Sequence, residues 1–194
     1  MKRKNGFTLA EILGVIVIIG LLLIIVAPIL IGRIKNNQDL VKKIYESGHL
    51  IGSHTNEHVN LNTLSTSAAI KDINESINIL EGITGSKIKY LRPPYGNYTN
   101  DLLNNCDLTF VLWNIDTNDW KIRDEKKLTN YLINNIEDGS IVLMHDIYKT
   151  SVDAIIKVID ELKDRYNFVT IEELAQIQNI VLESHHAYRY IKKS

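Results

Sequence analysis

An uncharged run from Ile12 to Ile31 opens the chain, and beyond it apolar residues recur either every three to four positions or in short continuous blocks. Twenty uncharged residues at about 1.5 Å rise span roughly 30 Å as a helix, enough for a hydrocarbon core. Asn36 or Asn37 is placed to cap a helix that ends near Gly48. Leu50, Ile51 and Gly52 form a short strand pattern. Ser65 or Thr66 starts a helix with Ile70, Ile73, Ile77 and Leu80 on one face, closed by Gly82 or Gly85. Further on, the pattern predicts strand over 88–91, helix over 97–105, buried strand over 110–113 and helix over 125–136. Strand over 141–144, helix over 152–166, strand at Phe168 and Val169, and helix over 171–178 complete the series. Strands alternating with helices of this length argue for an α/β fold, a parallel sheet with covering helices.

With about 35 residues in the leader and apolar run, about 160 remain, enough for one domain with its own core. The formal net charge is −1 from 22 basic and 23 acidic residues. No basic stripe interleaved with aromatics appears, which argues against nucleic acid as a partner. Cys106 is the single cysteine. It excludes an internal disulfide, and with no activating neighbour it is expected to be a small core hydrophobe.

The N-terminal segment carries a pattern of its own. Lys2, Arg3 and Lys4 precede a Gly6-Phe7 junction, Glu11 stands five residues into the chain after that junction, and Pro28 lies near the end of the apolar stretch. This arrangement resembles type IV prepilins and pseudopilins. The resemblance implies a prepilin peptidase as partner, cleavage between Gly6 and Phe7, methylation of the new N-terminal Phe7, and a role for Glu11 in assembly. An ordinary signal anchor shares the physics up to the cleavage step. A secretory peptide fits less well, because its apolar region should be about 7–15 residues. Either way the remainder is expected outside the membrane, with residues 1–6 a basic leader, 7–31 a transmembrane helix, 32–35 a linker, 36–180 the folded domain and 181–194 a polar tail.

Within the domain, His54 and His58 stand four residues apart in Gly-Ser-His-Thr-Asn-Glu-His. Two imidazoles one helical turn apart, or flanking a tight loop, can bind one divalent metal from the same side. Alone such a pair is weak. Later segments supply matching parts: Leu91-Arg92-Pro93-Pro94-Tyr95-Gly96, Asp116-Thr117-Asn118-Asp119-Trp120, and Leu143-Met144-His145-Asp146. In this order the four segments resemble motifs two to five of the polysaccharide deacetylase family, the NodB-homology or carbohydrate esterase family four enzymes. The resemblance runs from about Asn36 to about Ile180. It implies a distorted (β/α) barrel with these segments at the carboxyl ends of its strands, where active sites of such barrels gather.

The resemblance also assigns roles. His54 and His58 map onto two ligands of a divalent metal, zinc above others. Arg92 maps onto the arginine that orients a catalytic Asp, and Tyr95 onto the residue whose backbone N–H serves the oxyanion site. His145 is the general acid with Asp119 orienting it, Trp120 walls the site and Leu143 lines the acetyl pocket. The family's first motif, a T-F-D-D-like strand end bearing the base and the third ligand, has no counterpart upstream of His54. The barrel is therefore expected to be incomplete, zinc weakly held, and Glu57 a poor substitute ligand. The expected function is a membrane-anchored, metal-dependent deacetylase-like hydrolase of carbon–nitrogen amide bonds in acetylated cell-surface polysaccharide, peptidoglycan- or chitin-like, with impaired activity. A non-catalytic glycan-binding module, a pilin-like structural subunit and an unstable deletion product are the competing readings. Asn97 is expected to cap a helix, Asp116 to support its loop, His49 to start a strand, and His185 and His186 to be solvated.

Overall fold

The computed structural model describes residues 37–192. Helix α1 (Gln38–Glu46) buries Val41 and Ile44 against Ile51, Leu80 and Ile88. Asn37 occupies its N-cap position without a side-chain cap bond. Helix α2 (Thr66–Thr84) is capped by Ser65, whose hydroxyl accepts from Ala68 N, and is stopped by Gly85 in the left-handed conformation, where glycine lacks the usual Cβ penalty. Its buried stripe is Ala69, Asp72, Ile73, Ser76 and Leu80, the helical period with two polar residues inside it.

Strand β1 (Tyr90–Leu91) follows, then helix α3 (Asn100–Asn105) and strand β2 (Thr109–Val111). Thr99 rather than Asn97 caps α3, its hydroxyl accepting from Leu102 N at 3.1 Å. Strand β3 (Ile115–Asp116), the one-turn helix α4 (Asp119–Ile122), helix α5 (Glu125–Asn135), strand β4 (Val142–Leu143), helix α6 (Lys149–Leu162), helix α7 (Ile171–Gln178) and strand β5 (Ala187–Tyr188) complete the order. Every strand pairing is parallel: β1 with β2, β2 with β5, and β3 with β4. The stretch from Thr109 to Asp116 therefore changes partners midway, from β1 and β5 to β4. Leu132 of α5 and Ala154, Ile155, Val158, Ile159 and Leu162 of α6 are buried, and most of them share one cluster with Ile115 and Met144. A second cluster packs Leu61, Ala69 and Ile73 against Leu91, Leu102 and Phe110. This is the α/β arrangement that the pattern predicts.

Three segments differ from expectation. Leu50 to Gly52 is extended, yet its only pairing is a bridge at Ser53, whose N–H donates to Tyr90 O at 2.8 Å and whose carbonyl accepts from Arg92 N at 2.9 Å. Phe168 and Val169 have strand-forming side chains but pair with no described strand; Val169 is exposed, where water can take the place of a ladder partner. The polar segment after Ile180 is structural. Phe110 N donates to His186 O at 2.8 Å, Leu112 N to Tyr188 O at 2.7 Å, and Ile191 is buried. Polar composition hid this, because only one residue in two of a strand faces a core.

Gly139 sits at φ 88° with Ile191 O only 2.5 Å from where a Cβ would stand, so the turn before β4 and the C-terminal segment are built against each other. Ile191→Ala should destabilise the full chain by about 2–5 kcal/mol, and Gly139→Ala by more than about 1 kcal/mol. Replacing the 80% exposed Val181 with Ser should stay within about 0.5 kcal/mol. Urea unfolding of the detergent-solubilised chain checks all three, and equal stability of wild type and Ile191→Ala would show that the segment is not part of the cooperative unit.

Candidate active site

The histidine pair lies on a loop, not a helix. Thr55 and His58 both have positive φ, 68° and 51°, conformations that cost energy for residues with a Cβ and persist only where the surroundings impose them. The surroundings are the polar stripe of α2. Ser53 Oγ stands 2.5 Å from Ser76 Oγ, which itself donates to Ile73 O at 2.8 Å, so Ser76's proton is committed and Ser53 is the donor to it. Asp72 accepts from Glu57 N at 3.0 Å, Glu75 accepts from Asn56 Nδ2 at 3.1 Å, and Thr55 Oγ1 accepts from His58 N at 3.1 Å. Ser76, Asp72 and Glu75 were not singled out from sequence. Two polar residues in the buried stripe of an amphipathic helix were the available signal.

His54 Nδ1 lies 2.5 Å from Arg92 O; a carbonyl only accepts, so Nδ1 carries the proton and Nε2 keeps its lone pair. Burial, then the neighbouring His58, pushes His54 down to about 3, and burial also lowers His58. Both rings are neutral at pH 7. They meet edge to face at 4.8 Å between centroids, and His58 meets Tyr95 likewise at 5.0 Å. The Glu57 carboxylate accepts from Asn56 Nδ2 at 3.2 Å.

Arg92, at the end of β1, is 3% exposed. Its Nε donates to Val111 O at 3.2 Å and its Nη2 to Leu112 O at 3.4 Å, while buried Nη1 has no partner. Burial pushes this guanidinium down to about 10. It makes no ion pair with a carboxylate among the described residues. After Pro93 and Pro94, Tyr95 adopts φ 60° with its ring exposed, and Gly96 adopts φ 69° with Trp113 3.0 Å from where its Cβ would be.

Asp119 and His145 come together from the ends of β3 and β4. Asp119 is fully buried. Its Oδ1 lies 2.7 Å from His145 Nδ1, and its Oδ2 accepts from His145 N at 2.6 Å and from Ser151 Oγ at 2.7 Å. Burial works against its charge, but the hydrogen bonds from His145 and Ser151 outweigh it and hold the carboxyl below its usual range. An ionised Asp119 must accept the Nδ1 proton, leaving His145 Nε2 to face outward. Ser151 was missed, although a serine on the buried face of α6 beside Ala154 and Ile155 was the clue. Asp116 supports its loop, accepting from Asn118 N at 2.9 Å.

Trp120 is 51% exposed beside this relay, Leu143 is buried, and burial raises Asp146 to about 6. His49 is buried without a strand around it, and burial pushes it down to about 4. His185 and His186 are exposed. Gly6, Phe7 and Glu11 lie outside the described residues, as does the apolar run; no described helix is long and apolar enough to cross a membrane.

The family model for polysaccharide deacetylase matches residues 29–111. The solved structure of the peptidoglycan deacetylase PdaC from Bacillus subtilis superposes with a TM-score of 0.73 at 33% identity, over 76% of this chain and 73% of that one. The chain belongs to the polysaccharide deacetylase family. The full-length peptidoglycan-N-acetylmuramic acid deacetylase PdaC of Bacillus subtilis is 33% identical over 147 residues, 75% of this chain and 32% of that protein. The peptidoglycan-N-acetylglucosamine deacetylase PgdA of Listeria monocytogenes is 37% identical over 139 residues, 71% of this chain and 30% of that protein. The chain thus spans about a third of the length of these curated relatives. A pseudoenzyme of the same family from Bacillus anthracis superposes with a TM-score of 0.68 at 25% identity, over 80% of this chain and 56% of that one. The prokaryotic N-terminal methylation motif matches residues 1–27.

The donor set tests the metal that this family implies. His54 and His58 are neutral, adjacent and suited to ligate, but no group of three or more His, Cys, Asp or Glu among the described residues could hold an ion. A hydrolytic zinc centre takes three protein ligands and a water. The unpaired Nη1 of Arg92 repeats the deficit from the other side. These residues do not fit a complete metal centre.

The depressed histidines set a pH dependence. Unfolded, His49 and His54 titrate near 6.5; folded, they bind protons only near 4 and 3. Below pH 6.5 the unfolded state therefore holds more protons, and stability is present above that pH and lost as pH falls. The raised Asp146 acts in the opposite direction near pH 6. His54→Asn should reduce the slope of unfolding free energy between pH 6.5 and 4 by about 1.4 kcal/mol per pH unit. Urea titrations in EDTA at several pH values measure it, and an unchanged slope would show that His54 is charged in the folded chain.

Proposed function

We propose that this chain is a cell-surface, polysaccharide deacetylase-like hydrolase of N-acetyl groups on peptidoglycan- or chitin-like glycan, keeping the acid half of the reaction and lacking the base. The observation that carries the reading is the Asp119–His145–Ser151 relay at the carboxyl ends of β3 and β4. When the acetamide C–N bond breaks, the leaving nitrogen needs a proton; His145 Nε2 gives it while Asp119 holds Nδ1–H and stabilises the imidazolium. Tyr95, Trp120 and Leu143 offer the walls against which an acetylated sugar rests. The proton of the attacking water has no carboxylate to go to beside Arg92, and general-base assistance is worth typically about 10²–10⁴-fold.

Relatives support the reading. Two are peptidoglycan deacetylases by name, and a mutant of the family pseudoenzyme is described as having restored enzymatic activity. Repair is the corresponding test here. Zinc should bind in the micromolar range or weaker, through His54 and His58, on ligand count alone. Acetate release from N-acetylglucosamine oligomers should be close to background. Joining a T-F-D-D-bearing strand–helix–strand unit ahead of residue 36 should raise both. Nanomolar zinc lost in His54→Ala, or robust acetate release by the unmodified chain lost in His145→Ala, would mean that another residue completes the site.

The segment before the domain we read as a prepilin-type anchor crossing the membrane through residues 12–31, with the domain extracytoplasmic. The match to the methylation motif supports it. In a host with an active prepilin peptidase, mass spectrometry of the membrane fraction should find Phe7 as the methylated N-terminus. An intact leader there would reduce the segment to a plain signal anchor.

A further inference from the structure

Two carboxyl groups act on the His145 imidazole, and their surroundings treat them in opposite ways. Asp119 takes three hydrogen bonds, which hold it in the charged form. Asp146, the next residue after His145, accepts from its own backbone N–H, while its buried Oδ1 has no partner among the described residues. An oxygen taken out of water without a donor to meet it penalises the carboxylate far more than the neutral acid. Burial accordingly raises Asp146 to about 6; the charge of Asp119 adds to the rise and that of His145 opposes it. Asp119, His145 and Asp146 are thus one electrostatic cluster at the end of β4.

Neighbouring carboxyls whose environments push them apart separate a group that stays charged from one that changes charge near neutral pH. The other charges on these loops are engaged elsewhere. Lys149 pairs with Asp153 at 2.6 Å, and the Arg123 guanidinium lies over the Tyr148 ring, 4.2 Å from its centroid. His54 and His58 feel His145 through space, but their own contacts are with Arg92 O, with each other and with Tyr95.

We propose that Asp146 is a positioning residue that tunes the proton donor: its carboxyl and the His145 imidazole form one coupled titrating pair, and ionisation of Asp146 makes the imidazole hold its proton more firmly. The sign follows from the charges. Below about pH 6 Asp146 is neutral and His145 has one anion beside it; above that pH it has two. A second anion favours the imidazolium, so the acid form of His145 persists to higher pH than Asp119 alone would allow, which is what a proton donor working near neutral pH needs.

The inference rests on the reading of His145 as donor to the leaving nitrogen, and the test separates the two. Full-length chain in detergent and EDTA, labelled at the Asp carboxyl and His Cε1 carbons, is titrated by NMR, with His145→Gln and Asp146→Asn assigning the two signals. In wild type the Asp146 carbon should titrate near pH 6. In His145→Gln its midpoint should rise by about 0.5–1 pH unit, and in Asp146→Asn the His145 curve should move down by a similar amount, about 3- to 10-fold in proton affinity, because coupling between two sites is reciprocal. Asp146→Glu should restore part of it. A carboxyl that only supports the loop would shift neither curve. An Asp146 carbon titrating at about 4 in wild type, a measurement that needs no variant to fold, or superimposable curves in wild type and the folded variants, would overturn the inference. Coupled curves, together with acetate release by the chain carrying the added strand–helix–strand unit that is indifferent to His145→Ala, would sink the proton-donor reading and leave the coupling standing.

Discussion

A fully buried carboxylate, Asp119, holds the two halves of the reacting end together. Three hydrogen bonds converge on it, from the backbone and ring of His145 and from Ser151. A charge removed from water without such partners would cost several kcal/mol; with them it becomes a rigid joint between the loop after β3, the loop after β4 and the first turn of α6. The same bonds that make burial tolerable also choose the tautomer of His145. Stability and chemistry at this point have one cause.

The histidine loop shows the opposite design. Its anchors, Ser76, Asp72 and Glu75, belong to α2 and touch no part of the relay, while Arg92 bridges toward it by giving its carbonyl to His54 and its side chain to Val111 and Leu112. The two halves are therefore positioned independently, each by its own helix. Such a division lets each half hold its own geometry without leaning on the other.

Much of this was legible in the sequence. Periodicity located α2, α5, α6 and α7 from their apolar faces, and the cap read at Ser65 marks a real start; the Thr170 capping box at the start of α7 was not read. The four motifs, read in order, gave His54, His58, Arg92, Asp119 and His145, and the structure places the last two in contact and the first two side by side. Less visible were the supports. Ser151 and Ser76 look like ordinary helix positions until the helix is rotated against its neighbour, and β3, two residues long, is too short to show a period. The C-terminal strand was obscured by charge and histidine around it, since its worth lies in backbone bonds that no side chain announces.

That strand carries a consequence for how the domain comes to exist. The pairing of Phe110 with Ala187 ties the middle of the sheet to a segment synthesised long after it, and non-local parallel pairing is intrinsically slow because loop closure precedes any reward. Until β5 arrives, one flank of β2 has its donors and acceptors bare, an open invitation to pair with a neighbouring chain. The timing of one short strand then governs whether neighbours fold separately or into each other.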